Sequence, residues 1–234
     1  MLVGESFRLG TQGSRDTGSV ESFESQKAAS ETHRRLIDGL PGSHDVYIHT
    51  CPTAFEQDLL GFYGHVAGHA FDSSDIHDIG GRCQKAFEMV SGRVDEYDHV
   101  FFMRIDLKLK DFFLDLFWRR VTVTADKVMF PSICWLQMWR TSGGYPRISD
   151  TMALVPKRYF DVLKTKQFLL GHDTWEYLAP LGVEMDVFVY TLHDSDSNKD
   201  WNPSYMMCSR PEAPQNESHE SYVFDLATLS IFYP

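Results

Sequence analysis

Asp98-His99-Val100-Phe101-Phe102-Met103-Arg104-Ile105-Asp106 runs apolar almost without a break and stops on an arginine and an aspartate. A continuous apolar run of this length suits a strand covered on both faces, as in a parallel sheet, rather than an alternating strand with one wet face. Arg104 and Asp106 stand at i and i+2, so their side chains leave the same side of that strand. Charge at the end of a buried strand is costly to bury, which leaves two readings. The pair is an internal ion pair, or it is a metal-and-phosphate station at the carboxyl edge of the sheet.

Outward from this run, strands and helices alternate. On the N-terminal side, residues 1–4 read as a short strand, 19–40 as a helix ended by Pro41-Gly42, and 45–50 as a strand. A short helix over 52–63, a strand over 65–71 and a helix over 79–97 follow; in the last, Ala86, Phe87, Val90 and Val94 share one face. On the C-terminal side, 112–117 reads as helix, 127–135 and 151–155 as strands, 157–164 and 174–181 as helices, and 186–192 as a strand. Strand and helix repeating in this way imply an α/β fold: a mostly parallel sheet with helices on both faces, Rossmann-like in layout. Ligands of such sheets sit beyond the carboxyl ends of the strands, so the polar residues after each strand are where chemistry belongs.

The composition fits one such domain. The chain has 234 residues, 43% hydrophobic and 14% aromatic, with Phe the commonest ring at 17. The expectation is a single unit over 1–234, with 210–234 as a C-terminal tail. The net charge is −11 and no segment concentrates Lys and Arg. That argues against nucleic acid as a partner, and it requires an anionic ligand to be held by a few placed cations or by a metal. No apolar run approaches the roughly 18 residues of a membrane span. No basic stretch followed by a long apolar one opens the chain, and Cys51, Cys83, Cys134 and Cys208 form no CxxC pair. A reduced, cytoplasmic protein is therefore the expectation.

Four strand-end segments carry candidate chemistry. Gly4-Glu5-Ser6-Phe7-Arg8, with Gly13-Ser14-Arg15 behind it, is either a surface loop or a phosphate site: glycines admit backbone amides, and Arg8 and Arg15 offer paired donors. Arg104 and Asp106 form the second segment. In Gly171-His172-Asp173-Thr174, Asp173 is a helix cap or a general base. His193-Asp194-Ser195-Asp196 closes the last strand and is a polar turn or a source of metal ligands. The His and Asp residues between His65 and Asp78 match no zinc spacing.

In this order the segments resemble the GT-A glycosyltransferases, which carry a DxD-type motif after a buried strand, a glycine loop, an xED motif and a late histidine; the resemblance implies a nucleotide-binding half over 1–106 and an acceptor-side half over 107–209. Arg104-Ile105-Asp106 stands in the DxD place, Ser142-Gly143-Gly144 resembles the glycine loop, His172-Asp173 resembles xED and His193 the late histidine. The phrases GESFR, FFMRIDL, MFPSICW, PRISDTMALVPKRYF and HDSDSNKDWNP are similar to glycosyltransferase-like proteins of large DNA viruses, algae and plants. The resemblance implies a hexosyl- or pentosyltransferase that takes a sugar from a nucleotide sugar to a glycan or other hydroxyl acceptor, with inversion. It assigns Asp173 as base, with Asp150 second, and Gly4, Glu5, Ser6, Arg8, Arg15, Arg104, Asp106 and His172 to the donor. It gives any divalent ion, Mn2+ or Mg2+, to Asp106 and His193. The sequence departs from the DxD pattern at Arg104, where the family has an acid, so Arg104 is expected to supply charge that a metal otherwise brings. Two other classes stay open: a catalytically silent binding module of the same fold, and a nucleotidyltransferase, whose basic glycine-rich first loop GESFRLGTQGSR matches poorly.

Overall fold

The structure is a computed structural model and describes residues 1–8, 18–73, 79–124, 126–134, 145, 147–148, 151–164, 173–191 and 208–209. The elements in chain order are β1 (Leu2–Gly4), α1 (Val20–Asp38), β2 (Tyr47–Thr50), α2 (Glu56–Tyr63), β3 (Gly68–Phe71), α3 (Ile79–Val90), β4 (His99–Arg104) and β5 (Lys108–Leu109). They continue with α4 (Asp111–Thr124), β6 (Val128–Cys134), β7 (Arg147–Ile148), β8 (Met152–Pro156), α5 (Phe160–Lys164), α6 (Thr174–Leu178), β9 (Met185–Thr191) and β10 (Cys208–Ser209).

Among the described residues eight strands form one sheet in the order β3-β2-β1-β4-β8-β6-β7, with β9 also on β6. Strands β1, β2, β3 and β4 are parallel, and β9 is parallel to β6. β8 runs antiparallel to both β4 and β6, and β7 is antiparallel to β6. The sheet is thus mostly parallel but mixed. The strand expected over 151–155 is β8, and it lies reversed in the middle of the sheet. A run buried on both faces reads the same in either direction, so its hydrophobicity carries no orientation.

The apolar strands alternate between two cores. Val3, Val100 and Phe102 face Cys83, Ala86, Phe87 and Val90 of α3, together with Phe160 and Leu178. Leu2, Ile48, Met103 and Phe188 face Leu36 of α1, Leu59 of α2, and Phe113 and Phe117 of α4. Helices therefore cover both faces. The helix expected over 79–97 stops at Val90 and continues as a 3-10 segment, Ser91–Glu96. Ser91-Gly92 lowers helix propensity at that point.

Helix α1 is the least apolar of the long elements. Ser19 caps it, its Oγ accepting the Ser22 N–H at 3.1 Å. Its buried residues include Gln26, Ser30, Thr32 and His33 beside Ala29 and Leu36. No described helix is long and apolar enough to cross a membrane.

Candidate functional site

Strands β1, β2 and β3 proceed in one direction across the sheet, while β4 returns to the opposite side of β1. The order reverses between β1 and β4. α1 and α2 lie on one face and α3 on the other, and the carboxyl ends of β1 and β4 stand side by side where the order reverses, the position at which such sheets hold their ligands.

The first loop comes off Gly4, whose φ of 115° is open only to glycine. Glu5 and Ser6 behind it are buried. Ser6 is tied to the end of β2: its N–H donates to Thr50 Oγ1 at 3.0 Å, and the Thr50 hydroxyl donates to Ser6 Oγ at 3.0 Å. Phe7 takes φ 53°, a left-handed conformation strained for a side chain of this size. What holds it is packing: the ring is fully buried, with centroids 5.1 Å from Phe55, 5.9 Å from Phe23 and 6.3 Å from Phe62. The turn at Phe7 sends Arg8 back over the sheet edge.

There Arg8 meets the end of β4. Its guanidinium lies 3.5 Å from Asp106 Oδ2 and 3.8 Å from Glu5 Oε2. Arg104 forks onto the same carboxylate, Nε to Oδ1 at 3.1 Å and Nη2 to Oδ2 at 2.9 Å. The Asp106 side chain is only 3% exposed, so four charged groups share a largely dry pocket. Charge-assisted, forked bonds of this kind are strong and fix geometry. Of the residues expected at the donor, Gly4, Glu5, Ser6, Arg8, Arg104 and Asp106 therefore come together at the carboxyl ends of β1 and β4. Arg15, Asp150, His172 and His193 lie outside the described residues.

Asp173 belongs to the other half of the sheet. It occupies the N-cap position of α6, but its side chain makes no capping hydrogen bond and is exposed. α6 rests against the region of β6 and β7, with Trp175 6.3 Å from the Phe130 ring.

The donor set at Asp106 does not suit a divalent ion. Both oxygens are engaged by Arg104, Arg8 stands beside them, and two guanidiniums repel a third cation. No group of three or more His, Cys, Asp or Glu side chains among the described residues has the arrangement of a metal site.

A second polar cluster, which the sequence reading missed, lies at the ends of β2 and β3 under α3. Arg82 is 1% exposed, its Nη2 donating to Cys51 Sγ at 3.2 Å and approaching the Asp72 carbonyl at 3.5 Å. Lys85 Nζ pairs with Asp72, and His49 Nε2 lies 3.9 Å from the same carboxylate. Burial, and then the nearby Arg82 charge, lowers the His49 pKa, so the ring is neutral at physiological pH. The signal available was Arg82 on the inward face of α3, where an amphipathic pattern calls for an apolar residue.

Beside these strand ends, α1 makes a third set of contacts. Gln26 Oε1 accepts the Phe7 N–H at 3.0 Å and its Nε2 donates to the Ile105 carbonyl at 2.9 Å. His33 Nε2 bonds the Leu107 carbonyl, and its Nδ1 lies 2.8 Å from the Tyr63 hydroxyl. Since a carbonyl can only accept, Nε2 carries the proton and Nδ1 accepts from Tyr63. Thr32 Oγ1 accepts the Leu109 N–H at 2.9 Å. Burial lowers the His33 pKa to about 4 and raises that of Tyr63, so both are uncharged.

No protein-family profile matches the chain, and no curated protein matches it. Among solved structures, one from Desulfovibrio desulfuricans G20, described as a "putative nucleotide-diphospho-sugar transferase", is similar at 16% identity and a TM-score of 0.47. The similarity covers 75% of this chain and 71% of that one. At that level of likeness it carries no argument about this chain, and the functional reading has to stand on the site itself.

Proposed function

We propose that the protein is a glycosyltransferase of the GT-A type that binds the diphosphate of a nucleotide sugar at the carboxyl ends of β1 and β4. One observation supports this above the others: Arg8 and Arg104 converge on Asp106 at the point where the strand order reverses. Cleavage of the sugar–phosphate bond builds negative charge on the leaving diphosphate, and fixed cations in a dry pocket stabilise that charge. Asp106 and Glu5 would then hold the arginines in place between turnovers, and no step requires a metal. Asp173 is the proposed base for the acceptor hydroxyl, with direct displacement and inversion, and Asp150 its alternate.

A thermal-shift screen of nucleotide sugars, with and without Mn2+ or Mg2+, tests the donor reading. A ligand at about a hundredfold over its Kd adds about 2.7 kcal/mol, which for a chain of this size raises Tm by roughly 5–10 °C. A shift independent of metal supports the arginine assignment, and no shift with any nucleotide sugar refutes the proposal. For the base, Asp173→Asn should abolish transfer while leaving the thermal shift intact. A near-normal transfer rate in that variant would remove Asp173 from the reaction.

A binding module without turnover is the second reading, favoured by the single carboxylate, Asp106, in the DxD place. Release of free nucleoside diphosphate on incubation with donor and acceptor decides between them, since a module binds without releasing it.

A further inference from the structure

The segments that leave β1 and β4 are tied at their base, where the Ile105 N–H donates to the Val3 carbonyl at 2.8 Å. Beyond that point Arg8 meets Asp106, and a side chain from the helix beneath links the backbone of Phe7 to that of Ile105. Gln26, 3% exposed, accepts from the Phe7 N–H at 3.0 Å and donates to the Ile105 carbonyl at 2.9 Å. Phe7 immediately precedes Arg8, and Ile105 stands between Arg104 and Asp106.

The task calls for one side chain that accepts at one end and donates at the other. Carboxylates only accept, and Lys and Arg only donate; a carboxamide does both without charge. The identity of its oxygen and nitrogen follows from the partners, an N–H on one side and a carbonyl on the other. The location is also one where precision costs something. Phe7 at φ 53° is held by its buried ring and by this bond at its N–H, so loss of the bond removes one of the two constraints on the turn that carries Arg8.

We infer that Gln26 is a positioning residue whose carboxamide sets the distance between the Arg8 loop and the Arg104–Asp106 segment. The spacing of the two guanidiniums that receive the diphosphate follows from it. This rests on the diphosphate reading of these strand ends. Gln26 does not touch the ligand; it acts through the two backbone groups it bridges.

Isothermal titration with inorganic pyrophosphate tests it, using the full chain, Gln26→Met and Gln26→Glu, each first checked for a cooperative urea transition. Met fills a similar volume but makes neither bond, and binding should weaken by about tenfold or more, the order expected for lost preorganisation in a dry site. Glu as a carboxylate can accept from Phe7 but cannot donate to Ile105. When protonated it regains the donor, and burial favours that form. The deficit of Gln26→Glu relative to the parent should therefore shrink between about pH 7.5 and about pH 5.5, while that of Gln26→Met stays constant. A role in stability alone would produce no such contrast. A folded Met variant that binds within about twofold of the parent, or a Glu deficit unchanged with pH, overturns the inference. If the Met variant does not fold, the Glu comparison decides alone. If the parent itself does not bind pyrophosphate, the diphosphate reading fails, a result distinct from either of these.

Discussion

Arg104 and Asp106 are 14% and 3% exposed in their side chains, and an ion pair that dry is not explained by stability. Desolvating two charges costs several kcal/mol, and replacing such a pair with well-packed apolar residues is often neutral or favourable. Removing one partner is different, because it strands the other. Arg104→Met should cost about 2–4 kcal/mol by urea denaturation, the lower part of the usual range because Arg8 still faces Asp106 at 3.5 Å. Arg104→Met combined with Asp106→Leu should recover to within about 1 kcal/mol of the parent and yet show no thermal response to nucleotide sugars. A double variant as unstable as the single one would make the pair structural. One that still responded to nucleotide sugar would take both residues out of the site.

At the level of elements, α1 shows what a sequence discloses and what it withholds. Its limits were legible: Ser19 offers a capping hydroxyl, Pro41-Gly42 a stop, and the helix runs from Val20 to Asp38 between them. Its inner face was not. Pattern reading takes apolar residues as the buried side, but here Gln26, Thr32 and His33 are buried and matched one by one to backbone groups of residues 105–109 and to Phe7. Nothing local in α1 announces partners some 75 residues away. The same limit hid the reversal of β8, the stations of Arg82 and His49, and the two-residue strands β5, β7 and β10, whose apolar content is too short to register. The strand-end rule pointed at Gly4–Arg8 and Arg104–Asp106, and those segments do meet, because parallel topology alone brings successive carboxyl ends to one edge. How α1 docks can be tested at its C-terminus. A Cβ on Gly39 would lie 2.5 Å from the Trp118 indole, whose Nε1 donates to the Leu36 carbonyl at 3.4 Å. Gly39 has φ −85°, so the backbone tolerates alanine and the obstacle is steric. Gly39→Ala should therefore destabilise by about 1–3 kcal/mol through displacement of that ring, with a matching change in Trp fluorescence. A variant of unchanged stability and emission would mean that α1 and α4 are packed more loosely than this contact requires.

For the whole molecule, the buried polar groups tie stability to pH, and the sign follows from the histidines. His33 is fully buried, and burial lowers its pKa from 6.5 to about 4, because a charged ring there would have to donate at Nδ1 toward the Tyr63 hydroxyl while losing all hydration. Between those two values the unfolded chain binds a proton that the folded chain refuses. Unfolding is then favoured as pH falls: the contribution of the neutral ring is complete above about pH 6.5 and is lost progressively toward pH 4. A difference of that size corresponds to about 3 kcal/mol, a large share of the about 5–15 kcal/mol that holds an ordinary domain together. His49 shifts in the same direction and adds to the effect. The protein should therefore lose urea midpoint steeply from pH 6.5 downward, well before the bulk of its carboxylates titrate. Gln at position 33 can accept from Tyr63 and donate to Leu107 without titrating, so His33→Gln should be less stable near neutrality, from imperfect packing, but visibly flatter in its midpoint between about pH 6.5 and about pH 4. An equally steep profile in that variant would assign the acid sensitivity to groups other than His33. Leu107 adjoins Asp106, so acid should loosen the Arg104–Asp106 segment first; if that segment holds the proposed donor, nucleotide-sugar thermal shifts that fade with falling pH ahead of global unfolding would report that order.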